Sequence, residues 1–412
     1  MQTPACRFCG APLKHDFVDL GSTPLANSYV TAEEIARGLD RSFPLHARVC
    51  DACFLVQVDA PVASEAIFSD YAYFSSYSDS WVAHAQRYAD AMIERFGLGP
   101  QSLVIEVASN DGYLLQHFIA RGVPALGVEP AANVAQAARA KGVPTEVAFF
   151  GRETARKLAA RGVAADLTAA NNVLAHVPDI GEFVAGFAEI LKPGGVATFE
   201  FPHVLNLIRE LQFDTIYHEH FSYLSLVAVE RVLAANGLVA FDVEELPTHG
   251  GSLRLYVCRK GADHAPTPRL EAARGAERTA RLDAIDGYAG FSEKVEAVKA
   301  SFLNFLARAK AEGKTVAAYG AAAKGNTFLN VCGVNANDIV CVYDRSAAKQ
   351  GKFLPGSHIP IRAPATIADT RPDYLVILPW NLREEIVGQL AEIRQWGGKF
   401  VTAVPETRVF DA

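Results

Sequence analysis

Residues 104–115 read VIEVASNDGYLL. An apolar run carries one acidic residue, Glu106, and stops at a turn of small and polar residues from Ala108 to Gly112. An apolar helical pattern resumes behind the turn. Strand, tight turn and helix follow one another here, and ligands bind such sheets where the strand's carboxyl end meets the helix start. The alternation continues outward. Residues 112–122 (GYLLQHFIARG) and 132–142 (ANVAQAARAKG) read as helices closed by Gly122 and Gly142, with the strand PALGVEP (124–130) between them. A strand lies within 165–177 (ADLTAANNVLAHV), a helix at 180–191 and a strand at 195–202. Regular strand–helix alternation predicts an α/β fold with a doubly wound parallel sheet. Two β-like runs, 238–247 and 251–259, flank THGG (248–251) and read as an antiparallel pair.

The turn also bears on the ligand. The next strand ends at Glu129, 23 residues after Glu106, where a carboxylate accepts both ribose hydroxyls of a bound nucleoside. Dinucleotide sites share that position but require G-x-G-x-x-G, which brings backbone against a pyrophosphate. Here the turn is Ala-Ser-Asn-Asp-Gly, and Asp111 would repel a pyrophosphate. S-adenosylmethionine has a ribose, a sulfonium and an ammonium but no phosphate, so charge favours it over NAD. The bland alternative makes Glu129 a solvated strand end.

The 412 residues predict two or three domains. Half are apolar, which suits globular cores. No apolar run approaches the ~20 residues of a membrane span. The opening MQTPACRFCG has neither a basic start nor an apolar core, so no signal peptide is expected and the chain is expected to be cytoplasmic. A net charge of −7 counts against a nucleic-acid partner. Cys6 and Cys9, and Cys50 and Cys53, form two C-x₂-C knuckles that read as four thiolates around one structural zinc. With no position left for substrate or water, such a site holds a small fold together. Cys258, Cys332 and Cys341 read as core fillers.

A zinc unit is therefore expected over 1–65, and the Rossmann-like cofactor-binding domain over 66–265. From 266 a charged helical stretch leads into four more buried strands, within 315–321, 339–344, 373–379 and 400–405, with a helix over 383–398. Residues 266–412 thus read as a helical connector and a second Rossmann-like domain.

The segment IYHEHFSY (216–223) packs two histidines, a glutamate and two tyrosines together. A catalytic metal is disfavoured, because a zinc-protease helix needs H-E-x-x-H and no third ligand is near. Taken with VIEVASNDGYLL, LGVEPAANVA (126–135), NNVLAHVPD (171–179), LKPGG (191–195) and the double C-x₂-C, this segment resembles the sugar C-methyltransferases that act on nucleotide-linked 4-keto-deoxyhexoses. The resemblance covers essentially the whole chain. It implies a zinc-binding N-terminal domain, a central methyltransferase domain, a C-terminal Rossmann-like domain and methyl transfer from S-adenosylmethionine to sugar carbon 3. The ketone at carbon 4 acidifies that carbon, a base removes its proton, and the enolate attacks the methyl. Carried onto this chain, the resemblance gives His220 as the base, Glu219 as its partner or as the base itself, and Tyr217 as a donor to the oxyanion. It adds His176, and Tyr71, in a Tyr/Ser-rich stretch, is a further candidate for the substrate mouth. Cofactor contacts are expected from Glu106, Ala108, Asn110, Asp111, Gly112, Glu129, Pro130, Asn171 and Asn172.

A diphosphate substrate needs cations. Arg254 follows a glycine pair, and the turn Gly320 to Gly325 contains Lys324 and reads as an anion cradle at a helix start. A tight turn without ligand is the alternative. The rival functions are an O- or N-methyltransferase on a small molecule and a non-enzymatic zinc-containing binding protein. The nucleotide and the oligomeric state are not legible.

Overall fold

The structure, a computed structural model, describes residues 3–59, 75–77 and 79–411. Tyr71 lies outside the described residues. Among the described residues there are three sheets. The central sheet has seven strands in the order Leu238–Leu246, Ser252–Arg259, Leu191–Pro202, Ala165–Asn171, Val104–Val107, Ala125–Glu129 and Thr145–Val147. The last five pair in parallel, and Ser252–Arg259 runs antiparallel to both of its neighbours. The expected doubly wound sheet and its antiparallel pair are both present. The edge strand Thr145–Val147 and the helix Arg152–Ala160 escaped the sequence reading, the strand because it is only three residues long.

Alternation along Leu191–Pro202 explains how both faces fill. Ala197, Phe199 and Phe201 point into a core with Phe183, Val184 and Phe187 of the helix Ile180–Ile190 and with Val229 and Leu233 of the helix Leu226–Ala235. On the other face Thr198 meets the Tyr88 hydroxyl at 2.6 Å, and Glu200 is fully buried. Tyr88 belongs to the helix Asp79–Phe96, which Gly97 ends with φ +60°. A side chain there would be strained, and glycine is not.

The N-terminal sheet is antiparallel, with strands His15–Pro24, Ser42–Val49, Val56–Val58 and Ser222–Tyr223. Its fourth strand comes from the end of the YHEH segment, so the sheet is not built from the first 65 residues alone. Cys6 and Cys53 sulfurs lie 3.6 Å apart and Cys9 and Cys50 sulfurs 3.5 Å apart, with all four within 4.8 Å of one another. Tetrahedral zinc with Zn–S bonds of about 2.3 Å sets its sulfurs roughly 3.8 Å apart, so the four thiols fit the ion. The knuckles pack on the central domain, where Cys6, Cys50 and Cys53 share a core with Phe183 and Phe187.

The C-terminal sheet has the order Ile361–Arg362, Val342–Tyr343, Val316–Tyr319, Tyr374–Ile377, Lys399–Thr402 and Arg408–Asp411, parallel except for its last pair. The four expected strands are there, and two short edge strands are added. The single helix expected over 383–398 is instead an α-helix, Arg383–Gln389, followed by a 3₁₀ segment, Ala391–Trp396. Gly388 weakens the last α turn by about 1 kcal/mol relative to alanine, and the tighter 3₁₀ winding seats Ile393 in the core. One core joins the N-terminal and C-terminal sheets with the segment that follows the central strand Leu191–Pro202: Phe17 and Leu45, Val204 and Phe213, and Phe302, Val316 and Val376 belong to it. No helix among the described residues is long and apolar enough to cross a membrane.

Zinc held by the four thiols would join the two knuckles, which pack on the central domain through a shared core, so loss of the ion should unsettle more than the N-terminal sheet. Purified protein should carry about one zinc per chain, and Cys9→Ser should lose the metal and aggregate or melt at lower temperature. A metal-free Cys9→Ser protein with the wild-type melting temperature would show that the four thiols do not hold a structural ion.

Candidate active site

Two groups of polar residues meet at the carboxyl edge of the central sheet. The first is the turn after Val104–Val107. Ala108, Asn110 and Gly112 take positive φ of 56°, 48° and 78°. Two non-glycine residues in this region cost energy, and the surrounding contacts hold them there. Gly127 allows the close approach, because a Cβ on it would sit 2.3 Å from Ser109 Oγ. The Glu129 carboxylate accepts the amides of Asn110 and Ala131, both at 2.9 Å, and Pro130 lies between Glu129 and the helix that follows. Burial raises Glu129, and those two amides pull it back down. Each carboxylate oxygen keeps further acceptor capacity.

Asp111 is not open to a ligand. Its carboxylate is held by Lys141 at 2.7 Å and by Ser76. The charge that argued against a pyrophosphate is thus balanced by lysine. Open polar atoms lie nearby instead. Glu106 Oε2, Ser109 Oγ, Asn171 Oδ1 and both side-chain polar atoms of Asn172 are buried without a hydrogen-bond partner among the described residues. Burial holds Glu106 well above its ordinary value, a hydrogen bond with Tyr113 works against this, and Glu129 and Asp111 add to the rise. Buried polar atoms without partners are costly, and this set lines the ends of two adjacent strands. Carboxylate and amide acceptors match the ribose and ammonium of S-adenosylmethionine, so the residues present fit that group.

The second group is the YHEH segment, which caps the same edge. His220 donates Nδ1–H to the Thr215 carbonyl at 2.9 Å, since a carbonyl only accepts. Nε2 is therefore the acceptor, and it receives the Tyr217 hydroxyl at 2.9 Å. His176, on the turn Leu174–His176 after the strand Ala165–Asn171, likewise donates Nδ1–H to the Glu219 carbonyl at 2.9 Å. The two imidazole rings lie 4.6 Å apart. Enclosure drives both toward the neutral form, His176 to about 4 and His220 well below its ordinary value, with His176 and Lys324 adding to the effect on His220.

Glu219 breaks one expectation. Both of its oxygens accept the Asn27 amide, at 2.8 and 3.0 Å. The partner of His220 is Tyr217. His218 bonds to the Pro44 carbonyl at 3.1 Å and belongs to the seam with the N-terminal sheet.

The proposed cations also differ from expectation. Arg254 pairs with Glu200 at 2.8 Å and Glu244 at 3.0 Å and lies over the Tyr88 ring, so its charge is spent inside the sheet. In the turn after Val316–Tyr319, the amides of Gly320, Ala321 and Ala322 already donate to Tyr343 O, Asp344 Oδ2 and Gly320 O. Gly320 is required by packing, since a Cβ there would meet Pro379 at 2.4 Å. These three amides therefore make no anion cradle. Lys324 points to Asn381 Oδ1 at 3.2 Å and lies over the Trp380 ring.

Several neighbours of this group were not legible. Asn27 and Tyr29 reach in from the N-terminal unit, the Tyr29 hydroxyl meeting Ala321 O at 2.6 Å. Asp214, His249 and Trp380 complete the surround. His249 was visible in THGG, where only the glycines drew notice; Asn27 lies in a polar loop with no pattern at all.

Comparison with known proteins places this arrangement. Three sequence-family models match in chain order: a zinc binding domain at 6–68, a methyltransferase domain at 81–243 and a C-methyltransferase C-terminal domain at 247–405. The chain is 37% identical over 407 residues to the C-methyltransferase NovU of Streptomyces niveus, covering 99% of this chain and 97% of that one. The chain belongs to the C-methyltransferase family. It is an S-adenosylmethionine-dependent C-methyltransferase with a zinc-binding N-terminal domain. Among solved structures it is similar to an S-adenosylmethionine-dependent methyltransferase from Clostridium acetobutylicum ATCC 824, at 12% identity and TM-score 0.36 over 43% of this chain and 91% of that one. It is also similar to magnesium protoporphyrin IX methyltransferase from Synechocystis PCC 6803, at 16% identity and TM-score 0.33 over 47% of this chain and 88% of that one.

The neutral imidazoles have a consequence for stability. His176 titrates near 4 when folded and near 6.5 when unfolded, so below about pH 6.5 the unfolded chain takes up the proton first. Its contribution is complete above pH 6.5 and is lost as pH falls from there toward 4. Glu129 and Glu219, raised by burial, work in the opposite sense. His176→Gln should therefore lose less stability than wild type between pH 7 and pH 5, by up to about 2 kcal/mol, read from urea midpoints. Equal losses would mean that folding leaves the pKa of His176 unshifted.

Proposed function

We propose that this C-methyltransferase methylates carbon 3 of a nucleotide-linked 4-keto-deoxysugar, and that His220 generates the enolate. The observation that carries the reading is the hydrogen-bonded pair Tyr217–His220, with the imidazole tautomer fixed by the Thr215 carbonyl. A carbon nucleophile next to a ketone needs a base, and an oxygen or nitrogen acceptor has less need of one. A neutral imidazole with Nδ1–H held and Nε2 accepting is ready for that task.

The polarity of the pair also supports the reading. Before substrate enters, the Tyr217 hydroxyl donates to the one lone pair of Nε2. Binding of the ketone would turn that hydroxyl toward O4, where negative charge develops, as a preorganised donor would, and so free Nε2 to take the carbon-3 proton. Once protonated, Nε2 becomes a donor and returns a hydrogen bond to the tyrosine oxygen. Low basicity costs His220 some driving force, and the hydrogen bond that it then donates to Tyr217 offsets part of this. His176 lies 4.6 Å from the His220 ring and follows Asn172 on the segment that leaves the strand Ala165–Asn171.

S-adenosylmethionine, when bound, supplies an electrophilic methyl. Glu129 would hold its ribose hydroxyls, while Glu106 and Asn171 would offer acceptors to its ammonium. Ala108, Asn110 and Gly112 shape the cradle, and Asp111 with Lys141 stiffens it. The name of the relative NovU says C-methyltransferase and leaves the acceptor open, so the sugar rests on motif resemblance and on the base.

Two measurements test the proposal. Glu129→Ala should weaken S-adenosylmethionine binding about ten- to a hundredfold in a folded protein, the effect of losing charge-assisted hydrogen bonds. Unchanged affinity by calorimetry would remove Glu129 from the ribose site. Separately, with a panel of dTDP-, GDP- and CDP-linked 4-keto-deoxysugars, His220→Ala should bind S-adenosylmethionine normally yet turn over roughly 10²–10⁴-fold more slowly. It should also lose exchange of the carbon-3 proton with deuterated water. Tyr217→Phe should be impaired, and the double variant should be no worse than His220→Ala, because paired groups act as a unit. Near-normal turnover by His220→Ala would move the base elsewhere, with Tyr217 the first alternative.

A further inference from the structure

Trp380 follows the strand Tyr374–Ile377 of the C-terminal sheet and reaches the central domain. Its indole N–H donates to Asp214 Oδ2 at 2.8 Å. Its ring lies 4.7 Å from the Lys324 ammonium, in cation–π geometry. Its edge presses on Gly250 so closely that a Cβ there would sit 2.5 Å from the ring. One side chain therefore gathers three segments: the turn Phe213–Thr215, the turn Thr248–Gly250 that carries His249, and the start of the helix Ala323–Val331.

The first of these segments bears on His220. Asp214 immediately precedes Thr215, whose carbonyl holds the His220 Nδ1–H. Asp214 is 1% exposed, and its Oδ1 has no hydrogen-bond partner among the described residues. A buried carboxylate this poorly satisfied stays in place only if a strong donor fixes it, and the Trp380 indole is that donor. The charged and titratable groups around His220 are His176, His249, Lys324, Tyr217 and Tyr223. None of them directs the Thr215 carbonyl. Burial raises Asp214 to about 6 and lowers Lys324, so the two charges that flank the indole compensate each other incompletely.

We propose that Trp380 is a positioning residue for the reaction: through its hydrogen bond to Asp214 it fixes the turn whose carbonyl sets the tautomer and ring orientation of His220, which makes docking of the C-terminal domain a condition for an aligned base. The inference rests on the reading of His220 as the base. It gives the C-terminal sheet a part in proton transfer in addition to any part in holding substrate.

The test uses full-length, zinc-loaded enzyme with ¹⁵N-labelled histidine. The His220 Nδ1–H signal is assigned by its absence from His220→Gln. Trp380→Phe keeps a ring under Lys324 and against Gly250 but removes the indole N–H. Asp214→Leu removes both acceptor oxygens at similar volume and serves where the tryptophan variant folds poorly. In each, solvent exchange of the His220 Nδ1–H should accelerate at least about tenfold, and kcat should fall about tenfold, the effect of one hydrogen bond to a charged group. KM for S-adenosylmethionine should stay within about twofold, because Glu129 and Glu106 lie outside the affected turn. The double variant should match the worse single one, since both cut the same bond. Wild-type exchange and wild-type kcat in both single variants would overturn the proposal, as would a fall in kcat with unaltered exchange. Faster exchange with wild-type kcat would uphold the positioning and remove His220 from the role of base.

Discussion

Everything around the YHEH segment depends on two backbone carbonyls that accept imidazole protons. Thr215 O takes the Nδ1–H of His220, and Glu219 O takes that of His176. Each contact fixes a tautomer and turns the other ring nitrogen toward the site. Both carbonyls lie in irregular backbone, where no helix or strand ladder claims them. Keeping such backbone rigid requires support from outside, and the molecule provides it from all sides: Asn27 on Glu219, Trp380 on Asp214, and a β-pairing of Ser222–Tyr223 with the N-terminal sheet.

This explains which parts were legible in the sequence. The parallel strands and the antiparallel pair follow from local pattern, because burial on both faces writes itself as apolar runs. The four cysteines were legible for a similar reason, since their spacing is their chemistry. Partnerships between distant segments leave no such trace. Glu219 sits one residue from His220, yet its carboxylate meets Asn27, 192 positions away. Arg254 looked available in a glycine-rich context, but it lies on a buried strand face opposite Glu200, and a guanidinium there must be paired. Gly320 and Gly325 resembled a phosphate turn. The need for glycine comes instead from Pro379 and Leu378 pressing on them.

Charge is arranged in the same manner. Asp111 with Lys141, and Glu200 with Arg254, are compensated pairs, which leaves Glu106 and Glu129 at the strand ends as carboxyl groups without a cationic partner among the described residues. Under the proposed function they would face the cationic cofactor, and the neutral imidazoles of His176 and His220 would add no charge to oppose its sulfonium.

The β-pairing of Ser222–Tyr223 with Val56–Val58 has a bearing on biosynthesis. A ribosome adding about 5–20 residues per second makes the third strand of the N-terminal sheet roughly ten to thirty seconds before the fourth. During that interval the strand Val56–Val58 presents an open edge, which invites pairing with other chains. Early metal capture by the two knuckles, whose last ligand is Cys53, would order the nascent sheet while that edge waits. Closing it then brings the segment that holds His220 into register with the N-terminal sheet, so that segment and the sheet complete one another in a single step.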